Sequence, residues 1–424
     1  MSQPAPVLLT MASYHGTLAA VRCLGAHGVP VTVADDSFLS KAAWSKYATR
    51  RERCPPVQKA ERFVAWLLEF GERNPGHVLY PTSDDVAWLV ALNVDKLRKN
   101  FFLYQPPVEV IYGLLNKQQL APYCAAAGLD MPPSWFPKDD AHLLELGKTL
   151  PYPVLLKPQT QILYWPHAKG LVVESREALQ STYDKFRRDA GYAPELLAYD
   201  SQVGRPVLQA YFASAIESIY SMSGFVDETF TLSVARSSRK VLQRPRQLGV
   251  GLCFEEAPLN RDIEARILSL CKSIGYYGVF EAEFIVDSGR HLLIDFNPRF
   301  YGQMAFEIAR DLPLPMLVHA AATGQKDVLR AEVEKARAAP EQTGRVFCNR
   351  LELRSLLRQQ RLGGRLSKAD VTHWEVWLKE HEGRLSDAIL DPTDRRPAYA
   401  HVTQELAGYL RHPRSFIRQV RSKA

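Results

Sequence analysis

The densest chemistry in this sequence lies in GVFEAEFIVDSGRHLLIDFNPRFYG, residues 278–302. Phe280, Ala282, Phe284 and Val286 alternate with Glu281, Glu283 and Ile285, the period of a strand. Asp287-Ser288-Gly289 is turn chemistry, and His291 to Phe296 reads as a return strand that Pro298 ends. Such a hairpin sets Glu283 on one strand and Asp295 with Asn297 on the other, and antiparallel neighbours on one face lie about 5–8 Å apart. Two carboxylates and an amide oxygen suit a hard cation such as Mg²⁺, which prefers oxygen and usually shares itself with phosphates. Arg299, just beyond, is the counter-charge for a phosphoryl or carboxylate group. A half-solvated sheet shows the same alternation, so the hairpin needs the elements around it to decide its meaning.

Composition bounds the answer. The chain has 424 residues, 46% of them hydrophobic, enough for two or three domains. A net charge of +7 over this length suits a small anionic substrate as well as a polyanion, and does not argue nucleic acid by itself. The six cysteines (Cys23, Cys54, Cys124, Cys253, Cys271 and Cys348) are scattered with no CxxC pair. That argues for a reducing compartment and against a zinc site or a disulfide framework. No apolar run approaches the roughly 20 residues a membrane helix needs, and no signal peptide is evident, so the expectation is a cytoplasmic protein with no membrane partner.

In order, Val7 to Leu9, a helix from Thr17 to Ala26 and a strand from Val29 to Ala34 make a β-α-β opening, which predicts a parallel sheet. Only Gly16 follows the first strand, so a dinucleotide fingerprint is absent. A helix from Gln118 to Ala127 follows Lys117. Tyr152 to Lys157 is an apolar strand ending on a lysine, which wants an anionic partner unless it snorkels to the surface. Strands are expected at Val207 to Phe212, Glu217 to Phe225 and Thr229 to Ala235. The basic stretch Arg236 to Arg246 then reads equally as a loop that receives an anion or as a solvated face. Ile263 to Ile274 is a helix leading into the hairpin, and helices recur to Leu410 with no repeat.

The ordered set Lys117, Lys157, the linker Gln209 to Phe212, FEAEF and LLIDFNPRFYG resembles the ATP-grasp superfamily. The resemblance is closest to its carboxylate–amine ligase branch, with D-aspartate ligase-like and carbamoyl-phosphate-synthetase-like proteins, and covers roughly residues 5–325. It implies a fold of α/β and α+β class. A parallel α/β (pre-ATP-grasp) domain would span 1–108 and an ATP-grasp domain 109–325, with a small nucleotide lobe and lid at 109–208 and an antiparallel metal and substrate lobe at 209–325. A helical, basic extension would fill 326–424. The resemblance implies phosphate contacts at Lys117, Lys157 and Lys169, and adenine on the linker Gln209, Ala210, Tyr211 and Phe212, with Glu217 at the ribose. Glu283, Asp295 and Asn297 take the place of the Mg²⁺ (or Mn²⁺) ligands. Lys157, Lys240 and Arg299 stand as catalytic residues, and Lys240, Gln243, Arg244 and Arg299 as substrate contacts.

The implied reaction joins a carboxylate to an amine through an acyl phosphate and releases ADP and phosphate. Its partners would be a small carboxylic acid and an amine, an amino acid among them, with room for a homodimer and no nucleic acid. Two departures stand out. The segment Pro158 to Lys169, where the lid is expected, contains no glycine and carries Trp165, Pro166 and His167. Ala210 follows Gln209 where many relatives have an acidic residue for adenine. These departures keep a second reading open, a nucleotide-binding regulator of the same fold. QRPRQ followed by EEAP also resembles biotin carboxylase, but Leu248 stands where that family has a lysine near bicarbonate.

Overall fold

The computed structural model describes residues 3–165, 170–216, 219–244, 249–362 and 367–411. Lys169 and Glu217 lie outside these residues, as do Leu248 and the side chain of Arg244.

The first lobe is an all-parallel sheet of Val7–Leu9 (β1), Val31–Asp35 (β2), Arg50–Arg53 (β3), His77–Leu79 (β4) and Phe101–Leu103 (β5), in the order β3-β2-β1-β4-β5. β1, β2 and β4 are buried throughout, which is why each reads as an apolar run. The order reverses between β1 and β4, the crevice where open parallel sheets receive ligands. The helix His15–Ala26 follows β1, and the helix Asp84–Leu92 follows β4.

The second sheet is small and antiparallel, with Ser134–Trp135 (β6), Val154–Lys157 (β7), Leu171–Val173 and Val207–Ala210. Between them, Tyr164–Trp165 (β8) pairs with Gly191–Tyr192 (β10); Leu171–Val173 is β9 and Val207–Ala210 is β11. The order of the small sheet is β6-β11-β7-β9. β11 therefore belongs to the small sheet, and the expected boundary at residue 209 would cut it.

The third sheet has seven strands: Ile219–Val226 (β12), Ser233–Arg244 (β13), Val250–Glu256 (β14), Gly278–Asp287 (β15), Arg290–Asn297 (β16), Val346–Cys348 (β17) and Leu385–Asp387 (β18). Their order is β16-β15-β12-β13-β14-β17-β18, antiparallel except for the last pair. One face is apolar. Phe280, Ala282, Phe284, Leu293 and Phe296 pack there with Ile263, Ile267 and Leu270 of the helix Arg261–Ile274. The other face carries the polar residues of the site.

Two expectations change here. The described part of the basic stretch is a strand and not a loop: Arg236 to Arg244 lie in β13, so their side chains alternate between faces, and Arg246 lies outside the described residues. Arg236 is buried and donates to the carbonyls of Ala235 and Ala336, while Arg239 pairs with Glu255 at 2.7 Å. The region expected as a helical extension also supplies β17 and β18 to the large sheet, beside its helices. That pairing carries it back to the first lobe. Asp394 is buried and accepts from Arg22 Nε at 2.9 Å, Ser45 Oγ at 2.7 Å and Lys46 N at 2.9 Å. Beside it, His15 stands 3.3 Å from Glu352, and His401 3.8 Å from Glu405. Among the described residues no helix is long and apolar enough to cross a membrane.

Candidate functional site

The hairpin β15–β16 is built as the alternation demands, with Ser288 (φ 50°) and Gly289 (φ 80°) both left-handed in its two-residue turn. Glu281 stands opposite Asn297, and Glu283 opposite Asp295. A register shift between Glu283 and Phe284 makes this possible, because Phe284 pairs with Leu293 and Ile294 is the extra residue. Without that bulge, Ile294 and Phe296 would face the site and the polar residues would face the core, since a one-residue slip turns every side chain over. The apolar triplet Leu292-Leu293-Ile294 before Asp295 is the break in period that marks it.

Both carboxylates expected as ligands are met by lysines from distant elements. Lys117, first residue of the helix Lys117–Ala126, places Nζ 2.6 Å from Asp295 Oδ1. Lys240 of β13 places Nζ 2.5 Å from Glu283 Oε1. Asn116 fixes the start of the first helix by accepting from the backbone N–H groups of Gln118 and Gln119. Arg299 donates from Nη2 to Asn297 Oδ1 at 2.9 Å and from Nε to Asp84 Oδ1 at 2.5 Å. Lys117, Lys240, Asp295, Asn297, Glu283 and Arg299 thus converge.

Three residues at this face were not singled out from the sequence. Glu281 is buried and accepts from Ser221 Oγ at 2.9 Å, from Asn297 Nδ2 at 2.7 Å and from Gln303 Nε2. Burial, and then the charge of Glu283, pushes its carboxyl up to about 7. Its position two residues before Glu283 on one strand was signal enough. Gln303 and Asp84 carry no local signal, because only the fold brings them near.

The remaining expected residues lie farther along. Lys157, buried at the end of β7, donates to Gln209 Oε1 at 3.0 Å. Gln209 also donates to Ser134 Oγ at 3.1 Å. Gln209 and Ala210 lie inside the small sheet, and Tyr211 and Phe212 past its end. Phe212 packs on Ile219, Ile285 and Leu292, which joins the linker to the hairpin. Gln243 is buried in β13, beyond a register shift after Lys240.

The segment expected as an open lid is tied down over its first half. Gln159 O accepts from Lys117 N at 2.8 Å, and Gln159 Nε2 donates to the carbonyls of Gln202 and Arg205. Thr160, Ile162, Leu163 and Tyr164 are buried, Gln161 is half-buried, and Trp165 is exposed. Residues 166–169 lie outside the described residues.

The donor set was tested against a divalent cation. Among the described residues no three His, Cys, Asp or Glu side chains form a group that could hold a metal by themselves. Mg²⁺ is usually held by one or two carboxylates together with phosphates, so the hard oxygens of Glu283, Asp295 and Asn297 fit part of such a site, the rest of which a nucleotide's phosphates would supply. Lys117 and Lys240, at 2.6 and 2.5 Å, balance the charge of Asp295 and Glu283 on this face.

No protein-family model matches the sequence, and no curated protein does. Solved structures do match in fold. The biotin carboxylase domain of 2-oxoglutarate carboxylase from Hydrogenobacter thermophilus, a dimer in complex with MgADP, ADP and bicarbonate, aligns with a TM-score of 0.60 and 18% identity over 76% of this chain and 70% of that one. Biotin carboxylase from Campylobacter jejuni gives 0.60 and 17% over 76% and 72%. N5-carboxyaminoimidazole synthetase from Staphylococcus aureus, complexed with ADP, gives 0.58 and 14% over 76% and 78%. With its parallel first lobe, small central sheet and antiparallel polar-faced sheet, the chain has the ATP-grasp fold.

Proposed function

We propose that this protein is an ATP-dependent ligase that joins a small carboxylic acid to an amine, forming ADP and phosphate. The observation that carries the reading is the meeting of Lys117, Lys240 and Arg299 with the oxygens of one hairpin face, on the ATP-grasp fold. A carboxylate oxygen of the acid attacks the γ-phosphorus, the bond to ADP breaks, and an acyl phosphate results. The amine nitrogen then attacks the acyl carbon, phosphate leaves, and the nitrogen gives up a proton. Phosphoryl transfer asks the protein mainly for position and charge neutralisation. Lys117 and Lys157 would hold phosphate oxygens, and Arg299 would hold the acid against them. Lys240, released from Glu283, would take the negative charge of the acyl phosphate. Glu283, Asp295 and Asn297 would hold Mg²⁺, which would supply charge neutralisation to the phosphates. Tyr211 and Phe212 are the backbone left for adenine, with Glu217 at the ribose, Lys169 at the phosphates, and Gln243 and Arg244 at the substrate.

The glycine-free lid, buried as far as Tyr164, favours a second reading: a nucleotide-binding regulator with little turnover. One experiment separates the two. A panel of acids and amines, amino acids included, is screened for ADP release with ¹⁸O in the acid's carboxylate. The ligase reading expects one label in inorganic phosphate and a hydroxamate when hydroxylamine replaces the amine. Label in AMP excludes it, and nucleotide binding without turnover across the panel favours the regulator.

A further inference from the structure

Ser83 caps the helix Asp84–Leu92 by accepting from Val86 N at 3.2 Å, so Asp84 and Asp85 sit on one rigid helical turn. Their carboxylates have different partners. Asp84 takes the Arg299 guanidinium. Asp85, 4% exposed, accepts from the backbone N–H of Leu163 at 2.7 Å. Leu163 has φ +45°, a left-handed conformation that a non-glycine residue seldom adopts. Two hydrogen bonds hold it there: its N–H to Asp85, and its carbonyl from Ala193 N at 3.0 Å. β8 begins at the next residue, so Leu163 sets the direction in which Trp165 leaves the protein. A continuous chain of contacts therefore runs from Asn297 through Arg299, Asp84 and Asp85 to the base of the lid.

We propose that Asp85 is a positioning residue, a latch that couples the state of Arg299 to the stance of the lid stem at Leu163. The catalytic meaning of the latch rests on the ligase reading, while the latch itself does not. An acid or phosphoryl group that draws Arg299 away loosens its hold on Asp84, and the coupling proposed is that this hold keeps the capped turn carrying Asp85 in place. Such coupling is reciprocal, so fixing the stem also favours the ligand at Arg299.

Hydrogen exchange of the peptide covering residues 158–165, in the full chain, tests it. In Asp85→Ala this peptide is expected to exchange about tenfold faster than in the wild type, because the latch opens locally. Asp85→Asn, whose amide oxygen still accepts from Leu163, is expected to keep wild-type protection. Arg299→Ala lies on the far side of the turn and is expected to raise exchange in the same peptide by about threefold or more. Wild-type exchange in Arg299→Ala overturns the coupling, and wild-type exchange in Asp85→Ala overturns the latch. Should Asp85→Ala fail to fold, Arg299→Ala still decides the coupling, and Asp85→Leu, which also removes the acceptor, decides the latch by the same exchange. With Mg²⁺–ATP as probe, the wild type is expected to gain protection at 158–165 and Asp85→Ala to bind without that gain; an equal gain in both overturns the proposal. Failure of Mg²⁺–ATP to bind the wild type would count against the ligase reading and leave the three-way comparison without nucleotide to judge the latch.

Discussion

The molecule holds charged pairs in two settings, and they behave differently. On the hairpin face, the Lys117 and Asp295 side chains are 14% and 40% exposed. At the junction of the first lobe with the last helices, the Asp394 side chain is 1% exposed, and its oxygens take a guanidinium, a hydroxyl and a backbone N–H. The Lys117–Asp295 pair can be exchanged for a ligand, because solvent or substrate can replace the partner; Lys240 and Glu283 on the same face, 5% and 14% exposed, part only where a ligand's charge takes the partner's place. The contacts of Asp394 cannot be exchanged, because losing one partner strands a buried charge. The difference separates charge kept for chemistry from charge that holds the chain together.

The comparison is broken most sharply by Asp295→Asn. Turnover should fall by roughly 10³-fold, since a preorganised charge is lost, while the thermal midpoint stays within about 2 °C. Normal turnover in the variant at ordinary Mg²⁺ removes Asp295 from the site. Arg22→Ala should do the reverse. It should cost about 3 kcal/mol in urea unfolding by stranding Asp394, with turnover per folded molecule unchanged. Lost turnover at full stability would merge the two settings.

Acid sharpens the contrast with a smaller effect. Burial, then the charge of Lys41, holds His401 down at about 4, and burial also lowers His15. His401 is neutral in the folded chain above about 4 but takes a proton when the chain unfolds below about 6.5. Stability should therefore fall as pH drops from about 6.5 to 4, by about 1–2 kcal/mol for His401. Burial would raise Glu352, but His15 and Lys41 hold it at about 2, so its contribution is lost only below about 4.5. His401→Gln should flatten the first step in thermal melts across pH, and Asp295→Asn should leave it in place. A wild-type slope in His401→Gln would assign the acid sensitivity elsewhere.

The hairpin was legible because its alternation, turn and terminal proline are local. The same holds for β1, β2, β4 and β7, buried apolar runs bounded by turns. The strands that were missed owe their existence to a partner. β3 reads RRER and is an exposed edge strand, and β17 and β18 have three residues each. β13 was obscured by its cations, which the fold distributes to Glu283, Glu255 and backbone carbonyls on its two sides. Of the site, Glu283, Asp295, Asn297 and Arg299 were readable together. Glu281 was readable from the period and was not singled out. Asp84 and Gln303 were beyond reach, because no local pattern tells which distant turn will meet Arg299.

Asp394 also sets a clock. Its hydrogen bond to the backbone of Lys46 spans 348 residues. A ribosome adding about 5–20 residues per second needs on the order of tens of seconds to travel that distance. During that interval the parallel sheet of the first lobe exists without its last neighbour, with Arg22, Ser45 and the backbone of Lys46 still waiting for a carboxylate. The newborn chain should then be most open to proteases and most in need of a chaperone at the lobe that was made first.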